Sequence, residues 1–453
     1  MVAMPFNHIG VALEDLKKYL RTRPYLRKIL ENTSWLLADR ILRLGVGFFV
    51  GVWVARYLGP AQYGLLNYAS ALVGLFGSIA TLGLNDIVVR DIVRTPDSSE
   101  EILATGFALR VAGGFLGFIL PVLAVLLIRP TDTLAKLLVV IFGFSVFVNS
   151  TNIIKCWFES QVQSKYVVWI ENMVFLIISA TKVFLILIGA PLLYFALVLS
   201  MEAVLIAFGL FLIYHCIHGG FFKWHVNLAR ARILLKESWP LALSSLAIML
   251  YMRIDQVMLG QMVGNQVVGV YSAAVRICEV FYFIPTILAS SLFPAIVKSK
   301  DLGEKIYHER LQKLFTLMVF LALSISIPVT ILSKPIINLL LGTEYKETAL
   351  ILATYTWAGV FVFLGVGSSV WFVNEHLQKF TFFRTILGAL SNVGLNVLFI
   401  PHYGALGAAL ATIISQAIAS FFANAVNSKT RPLFLMQAKA LSLRWLPPRS
   451  IQG

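Results

Sequence analysis

Residues 36–88 read LLADRILRLGVGFFVGVWVARYLGPAQYGLLNYASALVGLFGSIATLGLNDIV, and this stretch decides the fold. It contains two apolar runs, 36–57 and 64–88, joined by a short connection that includes Gly59 and Pro60. Each run reaches the roughly 20 residues with which an α-helix crosses the hydrocarbon core of a bilayer. Because a glycine–proline step interrupts a helix, the stretch predicts two consecutive membrane-spanning helices.

The composition of the whole chain extends this interpretation. The 453 residues are 58% hydrophobic and 13% charged, and the mean hydropathy is +0.83. A soluble domain is nearer half apolar and about a quarter charged, so an ordinary soluble enzyme is excluded. About 263 apolar residues suffice for about twelve helices of about 20 residues. The predicted fold class is all-α, a polytopic membrane protein.

The apolar runs fall into two sets of six around a polar, basic interruption. The first set comprises 36–57, 64–88, 102–128, 134–154, 166–189 and 191–214. The second set comprises 238–260, 267–294, 311–333, 348–373, 380–400 and 404–426. The sets predict two six-helix lobes, 34–214 and 238–426, joined by a cytoplasmic linker, 215–237. A basic segment, 1–33, and a basic tail, 427–453, flank them.

Lysine and arginine are distributed unevenly over the predicted loops. With the N-terminus inside, about 26 of the 37 basic residues fall in cytoplasmic tails and loops, and about five fall on the other side. Since cytoplasmic loops carry the excess of basic residues, both termini are predicted to be cytoplasmic. The same topology accounts for the net charge of +15, so no nucleic-acid partner is expected.

A weak internal similarity relates the two halves. LGPAQYGLLNYASA, from Leu58, aligns with VGNQVVGVYSAA, from Val263, so that Gly64 matches Gly269. With an even number of spans in each half, a duplication would give two copies of the same orientation, which is a parallel repeat. Parallel repeats pack as two bundles around a central cavity and rock for alternating access. Chance is the alternative, because glycines are common in this chain.

Charged residues inside the predicted spans are the candidates for function, because a central charge costs roughly 2.5–3.5 kcal/mol on insertion scales. In the second half, Arg253 and Asp255 precede the connection at 260–266, and Arg276 and Glu279 follow it on one helix face. The two pairs are predicted to reach a similar depth on adjacent helices. At most one of Arg253 and Asp255 faces the other pair, and a buried ion pair that only locks the hairpin is an equal alternative.

The first half adds four intramembrane charges, Arg110, Glu171, Lys182 and Glu202. We expect all eight to face a water-filled interior. The basic members are predicted to bind an anionic substrate, phosphate above all: Arg253, Arg276, Arg110 and Lys182. The acidic members are predicted to act in gating or ion coupling: Asp255, Glu279, Glu171 and Glu202.

Four further charges, a pair of glycines and a basic stretch near the C-terminus are interpreted as structural features and not as parts of a binding site. Four charges near cytoplasmic helix ends are expected to snorkel to the interface: Asp39, Arg40, Arg43 and Asp86. The small-residue step of Gly47 and Gly51 is expected to pack helices together. The basic, apolar stretch 439–445 is expected to lie on the anionic inner surface of the membrane.

Patterns that indicate catalysis are missing from the sequence. No DxD metal motif, Walker loop, G-x-S-x-G elbow or HExxH occurs. The cysteines, Cys156, Cys216 and Cys278, are too far apart for a metal spacing or a disulfide framework. We therefore expect a protein that is not an enzyme, has no cofactor or metal, and does not itself use ATP.

Three segments resemble a known family. ENTSWLLADRILRLGVGFFVGVWVARYLGPAQYGLLNYASALVGLF, from Glu31, resembles the opening of the Wzx/RfbX-type polysaccharide flippases. RIDQVMLGQMVGNQVVGVYSAAVRICEVFYFIPTILASSLFPAI, from Arg253, resembles the opening of that family's second half. NVGLNVLFIPHYGALGAALATIISQ, from Asn392, resembles its last two spans. The family belongs to the multidrug/oligosaccharidyl-lipid/polysaccharide exporter superfamily.

The resemblance implies a flippase of the bacterial inner, cytoplasmic membrane. Such proteins move a polyprenyl-pyrophosphate-linked oligosaccharide, for example an O-antigen unit on undecaprenyl pyrophosphate, to the outer leaflet, where it is polymerised. Membrane lipid, a polysaccharide polymerase and a chain-length regulator are the partners it suggests. Only Arg253, Asp255, Arg276 and Glu279 stand in a matching segment. The alternatives are a multidrug or cation antiporter, an exporter of lipid II or a teichoic-acid precursor, and a membrane glycosyltransferase or polymerase.

Overall fold

The computed structural model describes residues 24–218 and 224–442, with side chains from Leu42 onward, and these ranges are helical without a strand. The side chains of Asp39 and Arg40 therefore lie outside the described residues. The helices of the first half are α1 Pro24–Ala80, α2 Asn85–Arg94, α3 Ser99–Ile128, α4 Thr133–Val148, α5 Ile153–Ser160, α6 Ser164–Leu187 and α7 Leu192–His218.

The second half begins with α8 and ends with a short helix in the tail. Its helices are α8 Leu228–Met262, α9 Asn265–Glu279, α10 Phe283–Asp301, α11 Glu304–Ile331, α12 Ser333–Leu340, α13 Thr348–Tyr355, α14 Ala358–Asn374, α15 Gln378–Ala417, α16 Ala423–Val426 and α17 Arg431–Leu441. A π-helical turn, Ile418–Phe422, joins α15 to α16. The prediction of an all-α membrane fold is confirmed.

Helix α1 is a hairpin and not one straight rod. Gly59 has φ 69° and ψ 168°, outside the helical region, and Pro60 follows it. Gly47 and Gly74 line the same cavity, although a straight helix would hold residues 27 apart at a distance of about 40 Å. The glycine–proline step therefore reverses the chain, as the sequence predicts.

Helix α15 reverses in the same way at Gly404, where φ is 55°. On either side of this glycine, the amide of Asn392 donates a hydrogen bond to the hydroxyl of Ser415 at 3.3 Å. Ten segments of the described chain are long and apolar enough to cross a membrane, and the two longest, Leu42–Arg94 and Gln378–Val426, contain these hairpins. The count of twelve crossings and the cytoplasmic termini stay predictions.

Several spans predicted as continuous helices are interrupted, and two of the breaks are 3₁₀ turns. The polar 3₁₀ turn Asn149–Asn152 separates α4 from α5, and the turn Val280–Tyr282 separates α9 from α10. In the first turn, the hydroxyl of Ser150 donates to the carbonyl oxygen of Arg110 at 2.8 Å. Polar side chains that bond to backbone groups offer an alternative to the helical hydrogen bonds, which is why the helix breaks here.

The two halves meet where α1 turns and where α8 passes into α9. A Cβ on Gly64 would meet the carbonyl oxygen of Asn265, and a Cβ on Gly269 would meet the carbonyl oxygen of Pro60. Arg129, at the end of α3, donates to the carbonyl oxygen of Gly260 and, at 2.8 Å, to the side chain of Asn265. Backbone contact and an arginine bridge thus close this end of the molecule.

The tail helix α17 docks on the second half. Gln437 is fully buried and donates to the hydroxyl of Ser368 at 2.8 Å, while Leu433 and Ala440 are also buried. Lys439 is exposed on the other face. The end of the stretch expected on the membrane surface, 443–445, lies outside the described residues, and the helix before it packs on protein.

Candidate functional site

A cavity of about 440 Å³ lies inside the first half, between both arms of α1 and helices α4, α6 and α7. Its polar lining consists of Tyr63, Asn67, Ser70, Ser145, Ser179, Lys182 and Arg276. Its aromatic lining consists of Phe142, Phe175 and Phe195. In the described part of the chain, no acidic residue lines it, so its two charged groups are both cations.

Arg276 reaches this cavity from the second half of the chain. It lies on α9, is exposed, and its Nη2 donates to the carbonyl oxygen of Gly47 at 2.9 Å. The guanidinium occupies the space that a Cβ at Gly51 would need. Of the two glycines expected to pack helices together, Gly47 faces the Phe175 ring of α6, whereas Gly51 makes room for the arginine side chain.

Lys182 is the second cation of the cavity and lies on α6. It has neither a hydrogen bond nor an ion pair within 4 Å among the described residues, and its electrostatic partners are Glu202, which attracts it, and Arg276, which repels it. Glu202 lies on α7 and does not line the cavity. Two like charges held close together favour a multivalent anion between them.

The expected meeting of the second-half charges occurs, with Arg253 as the partner. Its Nη2 lies 3.5 Å from Oε2 of Glu279, and both side chains are about a third exposed or less. Arg276, one turn before Glu279, points instead into the first half. The structure therefore brings Arg253 and Glu279 together, and places neither in the lining of the cavity.

Asp255 is separated from these charges and almost completely buried, with 2% of its surface exposed. Its carboxylate accepts hydrogen bonds from the Tyr271 hydroxyl and, at 3.0 Å, from the backbone N–H of Gln256. Oγ1 of Thr412 lies 3.3 Å from the same carboxylate. No lysine or arginine of the described chain comes within 4 Å of it. Tyr271 and Thr412 are site residues that the sequence does not indicate.

A string of polar side chains leads away from this carboxylate along α15. The hydroxyl of Ser415 donates to the carbonyl oxygen of Thr412 at 3.0 Å, and it also accepts from Asn392. Asn396 donates to Asn392 at 3.0 Å, while its own Oδ1 is buried without a partner in the described chain. The interior of the second half thus holds hydrogen-bonding oxygens around a carboxylate that Arg253 attracts from beyond 4 Å.

Glu171 is held between two cations in the first half. Nη2 of Arg43 lies 3.3 Å from Oε2, and the Lys155 ammonium contacts Oε1. Arg43 also lies over the ring of Phe175, at 5.3 Å from its centroid. Arg43 thus contacts a carboxylate and an aromatic ring of the first half, and its snorkelling to the interface stays a prediction.

Arg110 is buried apart from the cavity, with 5% of its surface exposed. Its Nη2 donates to the carbonyl oxygen of Asn149 at 3.2 Å, in the polar turn between α4 and α5. Its Nε and Nη1 are buried without a hydrogen-bond partner among the described residues. Of the four predicted cations, the structure therefore brings only Lys182 and Arg276 together.

Comparison with known proteins gives the family context. Residues 29–300 match the model of a family described as "Polysaccharide biosynthesis protein", and residues 240–398 match the MatE family. A relative named "Probable flippase AglR", from Haloferax volcanii, is 25% identical over 94% of this chain and 87% of its own length.

Two solved structures have a similar fold. The lipid II flippase MurJ in an inward closed conformation superposes with a TM-score of 0.68 at 19% identity, over 91% of each chain. An inward-facing multidrug resistance transporter of the MATE family also gives a TM-score of 0.68, at 15% identity, over 90% of this chain and 96% of its own. At such identities the likeness shows a shared fold.

Proposed function

Because the chain belongs to the polysaccharide biosynthesis protein family, we propose that it is a flippase for a lipid-linked oligosaccharide. The substrate is a polyprenyl-pyrophosphate-linked glycan, carried across the inner, cytoplasmic membrane for the synthesis of cell-surface polysaccharide. The observation that carries this proposal is the cavity whose charged lining is Lys182 and Arg276. The name of the relative AglR supports it.

The chemistry of the cavity suits the pyrophosphate of such a lipid. Arginine binds phosphate oxygens through two parallel N–H groups, and lysine contributes a compact charge with three donors. Arg276 comes from the second half and Lys182 from the first, so one pyrophosphate bound to both connects the two halves. The lipid chain remains in the bilayer, because leaving it in hydrocarbon costs almost nothing.

The arrangement supports alternating access as the transport mechanism. The contacts around Gly64, Gly269 and Arg129 close one end of the interface between the halves. A headgroup enters from the cytoplasmic side, binds Arg276 and Lys182, and leaves after these contacts part on the other side. Arg253 and Glu279, paired on consecutive helices of the second half, act as a gating pair in this movement.

Ion coupling is assigned to Asp255 among the four acidic candidates. Glu171 has two cationic partners, Glu279 has Arg253, and Glu202 balances Lys182. Asp255 alone of the four is buried without a cation within 4 Å in the described chain, and hydroxyl oxygens surround it. Such a carboxylate requires either a proton or a bound cation, which is the property that a coupling site needs.

Leaflet exchange in proteoliposomes tests the proposal. A polyprenyl-pyrophosphate oligosaccharide is incorporated, and its transfer is followed with the wild type, Arg276→Ala and Lys182→Ala. We expect each substitution to slow exchange about 10- to 100-fold, the loss of a charge-assisted hydrogen bond. Lys346→Ala, which removes an exposed cation, is the matched control and should leave the rate unchanged.

Two results would contradict the proposal. Normal exchange by Arg276→Ala, at normal expression, would remove the headgroup role of the cavity. Uptake of small organic cations without lipid exchange would favour the antiporter alternative, even though acidic groups do not line the cavity in the described chain.

A further inference from the structure

One wall of the cavity carries a stripe of small and polar residues on the second arm of α1. Tyr63, Asn67, Ser70 and Gly74 follow one another at intervals of four, three and four residues, which places them on one helix face. All four line the cavity. Helices α4 and α6 contribute the hydroxyls of Ser145 and Ser179 to the same space.

We propose that this stripe is a sugar-binding subsite, which takes the sugar attached directly to the pyrophosphate. The inference rests on the proposed function and adds to it the residues that recognise the glycan. Tyr63, Asn67 and Ser179 bind hydroxyl or amide groups of that sugar, while Arg276 and Lys182 bind the pyrophosphate beside it.

Tyr63 provides the first argument, because its hydroxyl is a buried polar group that needs a ligand. The side chain is 3% exposed, and the oxygen has no hydrogen-bond partner within the described residues. Buried hydroxyls in proteins are nearly always paired. The oxygen is closed off in this structure, and because Tyr63 lines the cavity, the subsite requires that a group of the sugar reaches this hydroxyl when the cavity is occupied.

Asn67 and Ser179 provide the second argument, since their free groups complement a sugar. Nδ2 of Asn67 donates to the carbonyl oxygen of Tyr63 at 2.7 Å, which holds the amide in place and leaves Oδ1 as an acceptor. Ser179 is 5% exposed, and its hydroxyl has no hydrogen bond in the described chain. Donors and acceptors of this kind match the hydroxyl groups of a neutral sugar.

The aromatic rings and the lysine of the cavity lining also suit a sugar that is attached to a pyrophosphate. Phe142, Phe175 and Phe195 give the cavity apolar faces, which suit the C–H surfaces of a pyranose ring. Ser179 lies one helical turn from Lys182, about 5 Å along the axis. A ligand whose phosphate reaches Lys182 therefore has its next group beside Ser179.

The test measures binding by the full-length protein in detergent, with two defined probes. One probe is a short-chain polyprenyl pyrophosphate, and the other is the same lipid with one N-acetylhexosamine on the pyrophosphate. We expect the wild type to bind the sugar-bearing probe at least about tenfold more tightly. Tyr63→Phe and Asn67→Ala should lose most of this difference and keep the affinity for the bare pyrophosphate, whereas Arg276→Ala should weaken both.

The control is Tyr194→Phe, because Tyr194 is 52% exposed on α7 and should behave as the wild type. The subsite is overturned if the sugar adds no affinity in the wild type, or if Tyr63→Phe and Asn67→Ala retain the whole difference. Absence of binding by either probe overturns the subsite and the proposed function together. Sugar-dependent binding without leaflet exchange in proteoliposomes supports the subsite and rejects the flippase.

Discussion

Gly64 and Gly269, which stand 205 residues apart in the chain, pack against each other's helices in a reciprocal contact. The space of a Cβ on Gly64 is taken by the backbone of Asn265 and Gly269, and that of a Cβ on Gly269 by the backbone of Pro60 and Gly64. Pro60 and Asn265 are separated by the same 205 residues. Equivalent positions of the internal similarity therefore meet across the interface, an arrangement that a duplicated pair of hairpins explains better than chance does.

Substitution of Gly64 should open this contact. We expect Gly64→Ala to force the backbones apart, because a carbonyl oxygen occupies the Cβ position and cannot rotate away. Solvent access to the cavity from the outer side should rise, measured by the labelling rate of a single cysteine at Ser70. Gly394→Ala is the control, since a Cβ there meets nothing within 4 Å. Unchanged labelling in Gly64→Ala would contradict a closing role.

Gly51 should be needed for the position of Arg276. We expect Gly51→Ala to displace the guanidinium that lies against it, and to slow leaflet exchange as Arg276→Ala does. The mechanism predicts that the two substitutions are not additive, because both remove one interaction. Gly45→Ala, on the same arm of α1 with open space around it, should exchange lipid at the wild-type rate. If the effects of Gly51→Ala and Arg276→Ala were additive in the double variant, Gly51 would act independently of Arg276.

How much of this site can be predicted from the sequence depends on how far apart along the chain the contacting residues stand. Hydropathy and the Gly59–Pro60 step are local, so the membrane helices and the first hairpin were predictable. The contact of Arg253 with Glu279 was predictable too. The two residues stand at similar distances along the chain from the short connection between their helices, so they lie at a similar depth in the membrane. Thr412 lies 157 positions from Asp255 along the chain, and no local pattern connects them. The step from Gly47 to Gly51 did not reveal that Gly51 faces the Arg276 side chain, because small residues accommodate a helix and a side chain equally well.

Asp255 should be replaceable without loss of stability but not without loss of coupling. Asp255→Asn keeps the shape and removes a buried charge that has no cation within 4 Å, so the melting temperature should stay equal or rise. The dependence of leaflet exchange on sodium and on pH should disappear. Glu202→Gln is the comparison and should keep that dependence. Exchange that still responds to sodium or pH in Asp255→Asn would assign coupling elsewhere.

Glu171 should be a structural residue, since it neutralises both Arg43 and Lys155. We expect Glu171→Gln to destabilise the first half by about 2 kcal/mol, below the full cost of an orphaned buried charge because the group is partly exposed. Adding Lys155→Met should recover much of the loss, measured by thermal unfolding in detergent. Glu171→Gln with unchanged stability but abolished exchange would indicate a direct role in transport.

Arg253 and Glu279 offer the sharpest test of a gating pair, because their charges can be exchanged. Their closest atoms are 3.5 Å apart, on α8 and α9, and both side chains are partly exposed. We expect Arg253→Glu and Glu279→Arg each to slow leaflet exchange, since like charges then face each other across the turn. The double exchange should restore most of the rate if the pair acts only by its mutual attraction.

If Arg253 instead binds the headgroup, the double variant will remain as slow as Arg253→Glu, because an arginine at position 279 presents its charge from another helix. Binding of the bare polyprenyl pyrophosphate, measured in parallel, separates the outcomes: a gating pair leaves its affinity unchanged, whereas a headgroup ligand does not.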